Sequence, residues 1–140
     1  MVLRSLCVNV LFSSVIVVVF LFPVCSFFIS FIMLRVGHKN VYHLYNKVPD
    51  LCVFLSQSTP NYNILGITES RLASRISDQD INIPNYCISR KDSLVIGQTG
   101  IAVYIHNSIA DITHKRQDLE SDLVECIWLE LKPSTNAPNI

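Results

Sequence analysis

The stretch that decides the fold is Asn63-Ile-Leu-Gly-Ile-Thr-Glu69-Ser-Arg-Leu72. Its run of Ile64, Leu65 and Ile67 around a single glycine predicts a short strand that is covered on both faces. Glu69 follows at the point where that strand should end. In open α/β sheets, ligands bind beyond the carboxyl ends of the strands, so this carboxylate is well placed for a metal or a substrate. The alternative, on this segment alone, is that Glu69 caps the following turn.

The residues after Glu69 form a polar region that ends in an extended segment. Ser77 suits the N-cap of a short helical turn, and Pro84 holds Ile-Pro-Asn-Tyr86 extended. From Asn63 to Tyr86 the chain resembles the endonuclease/exonuclease/phosphatase domain of non-LTR (LINE-type) retrotransposon polyproteins. In that family the stretch reads roughly Asp-Ile-Ile-Gly-Ile-Thr-Glu-Thr-Trp-Leu, then Ile-Ser-Asp-x-Glu-Ile-x-Ile-Pro-Gly-Tyr.

Three further stretches extend the resemblance, which covers residues 40–132. Asn40-Val-Tyr-His-Leu-Tyr-Asn-Lys47 is similar to the family's first motif, Asn-Val-Arg-Ser-Leu followed shortly by Asn-Lys. Gly97-Gln-Thr-Gly-Ile-Ala-Val-Tyr-Ile-His106 is similar to its glycine-rich turn and the strand after it. Glu125-Cys-Ile-Trp-Leu-Glu130 is similar to the next strand.

The resemblance implies Mg²⁺-dependent phosphodiester hydrolysis, with DNA as the partner. Mg²⁺ takes oxygen ligands and polarises the phosphate. Glu69 matches the family's metal-ligating glutamate, and Asn40 matches the first-motif asparagine that orients this ligand and the phosphate. The chain departs from the family where Tyr42 and His43 replace Arg-Ser, near the phosphate contacts, and where Thr99 replaces a glycine.

The family's later motifs are Tyr-Arg-Pro-Pro, Asp-x-Asn and Ser-Asp-His, and they do not occur before Ile140. The resemblance therefore implies a truncated domain with no complete catalytic set, in which phosphodiester hydrolysis is lost. One alternative is a small membrane-anchored protein with a non-catalytic nuclease-like module. Another is an active hydrolase that a partner chain or a longer transcript completes.

Residues 1–36 have a different composition from the rest of the chain. The thirty residues between Arg4 and Arg35 contain no Asp, Glu, Lys, Arg or His. Residues 6–34 are long and apolar enough to predict a transmembrane helix, with a cleavable signal peptide as the alternative. A third interpretation is translated flanking sequence without a selected role. The first predicts a membrane location; without a genuine anchor, a nuclear or cytoplasmic location is expected.

Composition sets further limits. The formal net charge is zero and no Lys/Arg block occurs, so the chain lacks the strong electrostatic pattern of a nucleic-acid binder. The five cysteines form no Cys-x-x-Cys pair, so we expect buried thiols and no disulfide partner. The four histidines have no metal-binding spacing. His43 and His106 alternate with apolar neighbours, which favours structural roles.

The predicted fold class is α/β (α+β), a partial four-layer endonuclease/exonuclease/phosphatase sandwich preceded by a hydrophobic helix. Residues 37–132 form the domain, and residues 133–140 are a disordered end. Asn46 caps a helix that ends at Gln57, with Pro49 in its first turn. The predicted strands are Lys39–Leu44, Asn63–Thr68, Tyr86–Arg90, Ile101–His106, Asp111–His114 and Leu123–Leu131.

Overall fold

The computed structural model of the protein describes residues 6–11, 34–93, 95 and 97–132. The elements are β1 (Leu6–Leu11), β2 (Val36–Asn40), α1 (Leu44–Gln57), β3 (Ile64–Thr68), β4 (Tyr86–Lys91), β5 (Ile101–His106), α2 (Asn107–Ala110), β6 (Thr113–Lys115), a 3₁₀ turn (Gln117–Leu119) and β7 (Cys126–Leu131). This mixture of strands and helices confirms the predicted α+β class. The four-layer sandwich remains a prediction.

A four-stranded sheet in the order β2-β3-β5-β4 carries the candidate site. Strands β2 and β3 are parallel, and β5 pairs antiparallel with both β3 and β4. All five residues of β3 are buried, which agrees with a strand covered on both faces. The parallel pairing places the carboxyl ends of β2 and β3 side by side, and we call this row of strand ends the edge.

The second sheet has the order β1-β7-β6, with both pairs antiparallel. It packs on one face of the first sheet through alternate residues of β3, β5 and β7. Because successive side chains of a strand point to opposite faces, alternate isoleucines, valines and leucines meet between the sheets. The buried members of this core are Ile64, Ile101, Val103, Ile105, Ile109, Ile127, Leu129 and Leu131.

Helix α1 covers the other face of the first sheet. Its buried residues Leu44, Leu51 and Leu55 lie on one stripe, because positions seven and eleven residues apart share a helix face. They pack against the remaining side chains of β3 and β5, including Leu65 and Tyr104. The described residues therefore form three layers, with the four-stranded sheet in the middle.

Helix α1 begins earlier than its sequence predicts. Its first residue is Leu44, and Pro49 lies inside the helix rather than in its first turn. Strand β2 correspondingly ends at Asn40, so the predicted strand to Leu44 is wrong at its end. The amide of Leu44 donates to the carbonyl of Ser70 at 2.9 Å, and this contact with a distant segment fixes the start of the helix.

Other strand boundaries also differ. Strand β7 begins at Cys126, whereas Leu123 and Val124 precede it and are 93% and 45% exposed. Leu123 and Val124 lie in the surface loop before β7. The sequence predicts them as part of the strand because apolar and β-branched residues are typical of strands. Strand β7 is internal to its sheet, since it lies between β1 and β6.

The N-terminal segment departs from the predicted hydrophobic helix. Leu6–Leu11 is a strand that pairs with β7 in register from Leu6 opposite Leu131 to Leu11 opposite Cys126. A run of apolar residues fits either structure by composition, and the antiparallel edge of β7 supplies backbone partners. Within the described parts of the chain, no helix has the length and hydrophobicity needed to cross a membrane. Residues 12–33 and the predicted disordered end, 133–140, lie outside the described residues.

Candidate metal and phosphate site

The candidate site lies where β2 and β3 end. In the parallel pairing of these strands, Asn40 lies opposite Thr68, so Glu69 is the next residue beyond the edge. Strand β5 runs in the opposite direction, and Ile101 at its start lies opposite Thr68. The turn before β5 therefore reaches the same edge. Three stretches that are far apart in the sequence meet here.

The side chains of Asn40 and Glu69 are joined directly. Asn40 Nδ2 donates a hydrogen bond to Glu69 Oε1 at 2.8 Å. The Glu69 side chain is 31% exposed, so part of the carboxylate faces solvent. The contact engages Oε1 and leaves Oε2 outside this hydrogen bond. The two residues that the sequence predicts as a metal ligand and its orienting amide thus lie together.

Arg71 lies beside the second oxygen of this carboxylate. Its Nη2 lies 3.9 Å from Glu69 Oε2, at the long limit of an ion pair. The guanidinium also stacks over the ring of Tyr42, 3.6 Å from the ring centre. This stacking fixes the planar group beside Glu69 without a close hydrogen bond between the two charges. Arg71 is therefore positioned to neutralise an anion beside the carboxylate.

The backbone at this edge takes an uncommon conformation. The φ angles are positive at Tyr42 (41°), His43 (70°), Glu69 (53°) and Arg71 (51°). Such angles are uncommon in residues with side chains, and they persist when surrounding contacts enforce them. Two hydrogen bonds between the turns do so here: His43 N donates to Glu69 O at 3.2 Å, and Leu44 N donates to Ser70 O at 2.9 Å.

The turn before β5 completes this edge. Ser70 N donates to Gly100 O at 3.0 Å, and Arg71 N donates to Thr99 O at 2.8 Å. The turn is held in place by Glu125, which accepts the Gly100 amide at 2.9 Å and the Thr99 hydroxyl. Thr99, where the family tends to have glycine, thus makes a specific bond to the residue that precedes β7.

His38 lies two residue pairs inside the edge, opposite Gly66. Its Nε2 is 3.0 Å from the hydroxyl of Thr68, on the neighbouring strand. Burial lowers the pKa of His38 below its usual value, because desolvation disfavours the charged ring.

Among these residues, Glu69 is the one that could supply a carboxylate ligand to a Mg²⁺ ion. Mg²⁺ in proteins keeps several waters and takes one or two carboxylates together with substrate phosphates. Glu69 offers an exposed carboxylate that an amide orients, which is a common arrangement around metal ligands. No cluster of three or more His, Cys, Asp and Glu side chains suited to a metal occurs among residues 6–11, 34–93, 95 and 97–132.

The structure separates the two histidines that alternate with apolar neighbours. His43 precedes α1 at the site and is exposed. His106 lies at the other end of the sheet, where its Nδ1 is 2.8 Å from Ser108 Oγ. The thiols of Cys52, Cys87 and Cys126 are free.

Three residues near the site are not predicted as site residues from the sequence. Ser70, Arg71 and Arg75 line a single cavity beside the start of α1. The sequence held one indication of this, because Glu69-Ser-Arg replaces the Glu-Thr-Trp of the family it resembles. Local sequence does not show that helix α1 begins beside these side chains.

Comparison with known proteins gives no relative for this chain. No protein-family model, curated protein or solved structure matches it. Its function is therefore argued from the residues at the site and from the motifs that carry the resemblance.

Proposed function

We propose that residues 37–132 are part of an endonuclease/exonuclease/phosphatase domain derived from a non-LTR retrotransposon. In this proposal the edge formed by β2 and β3 binds Mg²⁺ and a DNA phosphate, and it does not by itself hydrolyse the phosphodiester bond. The motifs from Asn40 to Glu130 support the family assignment. The four-layer sandwich of that family is part of the same proposal.

The observation that carries the proposal is the hydrogen bond from Asn40 Nδ2 to Glu69 Oε1 at 2.8 Å. The two residues come from different motifs, 29 positions apart. An asparagine that orients a carboxylate is what the resemblance predicts for this pair. A carboxylate that merely caps the following turn has no need of such a partner.

Each side chain has a defined part in the proposed binding. Glu69 supplies the carboxylate oxygen that holds the ion, and Asn40 orients the carboxylate through its hydrogen bond to Oε1. Arg71 lies beside the other oxygen, Oε2, and neutralises the phosphate that shares the ion. The bound Mg²⁺ would supply Lewis-acid polarisation of a phosphate oxygen.

Binding without turnover follows from the chemistry of these groups. One carboxylate and one amide can hold and orient an ion, whereas hydrolysis also needs a group to activate water and one to protonate the leaving oxygen. Loss of members of a catalytic unit typically lowers the rate by several powers of ten. We therefore expect binding of Mg²⁺ with negligible nicking of DNA.

The experiment that tests the proposal is a Mg²⁺ titration of the full chain, followed by amide NMR spectra and calorimetry. We expect saturable shifts around Asn40 and Glu69, and loss of binding in Glu69→Gln, which keeps the shape of the side chain and removes its charge. Asp111→Asn is the matched control, because Asp111 is exposed and lies beyond the opposite end of β5. Equal Mg²⁺ binding by the native chain and Glu69→Gln would refute the metal assignment.

A second assay tests turnover. The full chain is incubated with supercoiled DNA and Mg²⁺, with Glu69→Gln run in parallel. We expect no nicking above the level of Glu69→Gln. Robust nicking that disappears in the variant would show that the chain is an active nuclease, and the binding-only role would then be wrong while the family assignment would gain support.

A further inference from the structure

Arg71 places a positive charge beside the proposed metal ligand. Its Nη2 lies 3.9 Å from Glu69 Oε2, and the two side chains are only 20% and 31% exposed. Like charges repel, and partial burial weakens the screening by water, so a metal cation at Oε2 and the guanidinium oppose each other. The carboxylate therefore has a cationic neighbour before any metal arrives.

The ring of Tyr42 holds that guanidinium in place. Arg71 Cζ lies 3.6 Å from the ring centre. The attraction arises because the face of an aromatic ring carries negative potential, and the planar guanidinium suits stacking. The Nε–H of Arg71 is buried and has no hydrogen-bond partner among the described residues. Stacking on the ring, rather than a hydrogen bond from Nε, therefore fixes the group.

The backbone of Tyr42 is in turn tied to the segment that carries Glu69. The amides on either side of it, those of Val41 and His43, donate to Thr68 O and Glu69 O, each at 3.2 Å. The ring, the guanidinium and the carboxylate thus form a closed chain of contacts that begins and ends at Glu69. Movement of the guanidinium away from the carboxylate also removes its stacking on the ring.

Both members of this pair differ from the motifs of the family that the chain resembles. Tyr42 replaces an arginine of the first motif, and Arg71 replaces the tryptophan that lies two residues after the glutamate. The cation and the aromatic residue therefore stand in the opposite order in this chain. A positive charge two residues after Glu69 is a property of this chain and does not follow from the resemblance.

We propose that Arg71 is a built-in competitor of Mg²⁺ for Glu69, and that Tyr42 is the positioning residue that keeps it there. The inference rests on the proposed function, because it concerns the metal affinity of the same carboxylate. It adds a restraint to that function, since the site binds Mg²⁺ more weakly than Glu69 and Asn40 alone would. A phosphate that shares the ion offers the guanidinium a second anion, so the competition is strongest before a phosphate binds.

The first test needs no metal. The variants Glu69→Gln, Arg71→Gln and the double variant are melted in EDTA at low ionic strength. The double variant should melt about 1 to 4 °C higher than the sum of the single shifts predicts, because the attraction between the two charges is lost only once. The difference should shrink in high salt. Additive shifts at low ionic strength would overturn the inference.

The second test measures Mg²⁺ affinity by calorimetric titration. Arg71→Gln should bind Mg²⁺ about fivefold more tightly than the native chain, the upper end of what a partly exposed ion pair contributes. A merely structural role does not produce this result, because the loss of a packing contact does not tighten a site. Lys132→Gln is the control. It removes a positive charge beside Ile112, beyond the other end of β5, and should leave the affinity unchanged.

The variant Tyr42→Leu tests the positioning role. It should tighten Mg²⁺ binding about twofold, because a guanidinium without the ring is held less firmly beside Glu69. In the Arg71→Gln background the same substitution should have no further effect on the affinity. An equal effect in both backgrounds would show that Tyr42 does not act through Arg71, and the positioning role would be wrong.

The outcomes of the titration separate this inference from the proposed function. Native binding as tight as that of Arg71→Gln, together with loss of binding in Glu69→Gln, refutes the competition and leaves the metal site standing. Binding of Mg²⁺ by Arg71→Gln but not by the native chain supports a competition strong enough to close the site. Absence of binding in both chains refutes the metal site and the competition together.

Discussion

Asn40 and Glu69 are linked by a 2.8 Å hydrogen bond across the ends of two adjacent parallel strands. The amide nitrogen faces Oε1, and Oε2 lies 3.9 Å from Arg71 Nη2. The two oxygens of the carboxylate therefore have different neighbours, an amide at Oε1 and a guanidinium at Oε2. The hydrogen bond also joins two motifs whose connection in the sequence runs through the whole of helix α1.

The first prediction concerns this bond. Asn40→Ala should weaken Mg²⁺ binding by a factor of about 10 to 100, because partners that orient a metal ligand typically contribute that much to metal affinity. The measurement is calorimetric titration with Mg²⁺. The variant Asn82→Ala is the control, since Asn82 is exposed and far from Glu69 in the sequence. An unchanged dissociation constant in Asn40→Ala would show that the amide has no orienting role.

The second prediction concerns Glu125, which holds the turn before β5. Its carboxylate accepts bonds from the Gly100 amide and the Thr99 hydroxyl. Glu125→Ala removes the acceptor of both bonds and leaves the Gly100 amide unpaired, so we expect a loss of about 1 to 3 kcal/mol in the free energy of unfolding. Chemical denaturation measures this loss, and faster amide exchange at Gly100 should accompany it.

The matched control for Glu125 is Asp122→Asn, which removes an exposed carboxylate from the same loop. We expect it to change the free energy of unfolding by less than about 0.5 kcal/mol, as for most surface substitutions. Equal losses in Glu125→Ala and Asp122→Asn would mean that the two bonds to the turn contribute nothing specific.

The third prediction compares two glycines of one turn. Gly97 and Gly100 have φ angles of +78° and +99°, so alanine is strained at both. A Cβ at Gly97 would meet nothing within 4 Å, whereas one at Gly100 would lie 2.8 Å from Ser70 Oγ and 3.2 Å from Ser93 N. Gly97→Ala should cost about 1 kcal/mol for backbone strain alone.

Gly100→Ala should cost clearly more than Gly97→Ala, because the backbone nitrogen of Ser93 cannot move aside as a flexible side chain can. Thermal unfolding of the two variants measures the difference. Gly97→Ala serves as the internal control for the cost of a positive φ angle. Similar melting temperatures would show that the close approach at Gly100 relaxes without cost.

The sequence predicts two of the three strands that the site depends on, β3 and β5. Strand β5 was predicted with its observed limits, and β3 differs only in starting at Ile64. Both are apolar runs bounded by glycine or polar residues, which is the pattern of a buried strand. The resemblance also paired Asn40 with Glu69. Since both follow or end parallel strands, their meeting at one edge follows from sheet geometry.

The parts that sequence reasoning missed depend on distant contacts. The start of α1 at Leu44 is fixed by the carbonyl of Ser70, and apolar composition could not distinguish the strand Leu6–Leu11 from a helix. The cavity beside α1 gathers Arg71 and Arg75 with residues of the helix start. No local pattern marks these residues as neighbours, because only the packing of α1 on the sheet brings them together.

The last prediction concerns the buried Tyr104. Its hydroxyl donates to Ile81 O at 2.8 Å, and its side chain is fully buried. Burial raises the pKa of Tyr104 well above the usual value, and the nearby Cys52 and Asp78 raise it further. In the unfolded chain the phenol ionises near its ordinary pKa of about 10. Above that pH only the unfolded state loses the proton, so the free energy of unfolding falls as pH rises towards the folded pKa.

Tyr104→Phe should therefore lower the free energy of unfolding by about 1 kcal/mol at neutral pH, because Ile81 O loses its partner. It should also flatten the decline above about pH 10, because the ionisable group is gone. Urea denaturation at a series of pH values measures both effects. Tyr45→Phe is the control, since it removes a phenol that is 52% exposed, and it should leave the alkaline decline as steep as in the native chain. An alkaline decline in Tyr104→Phe as steep as the native one would show that Tyr104 ionises equally in the folded and unfolded states.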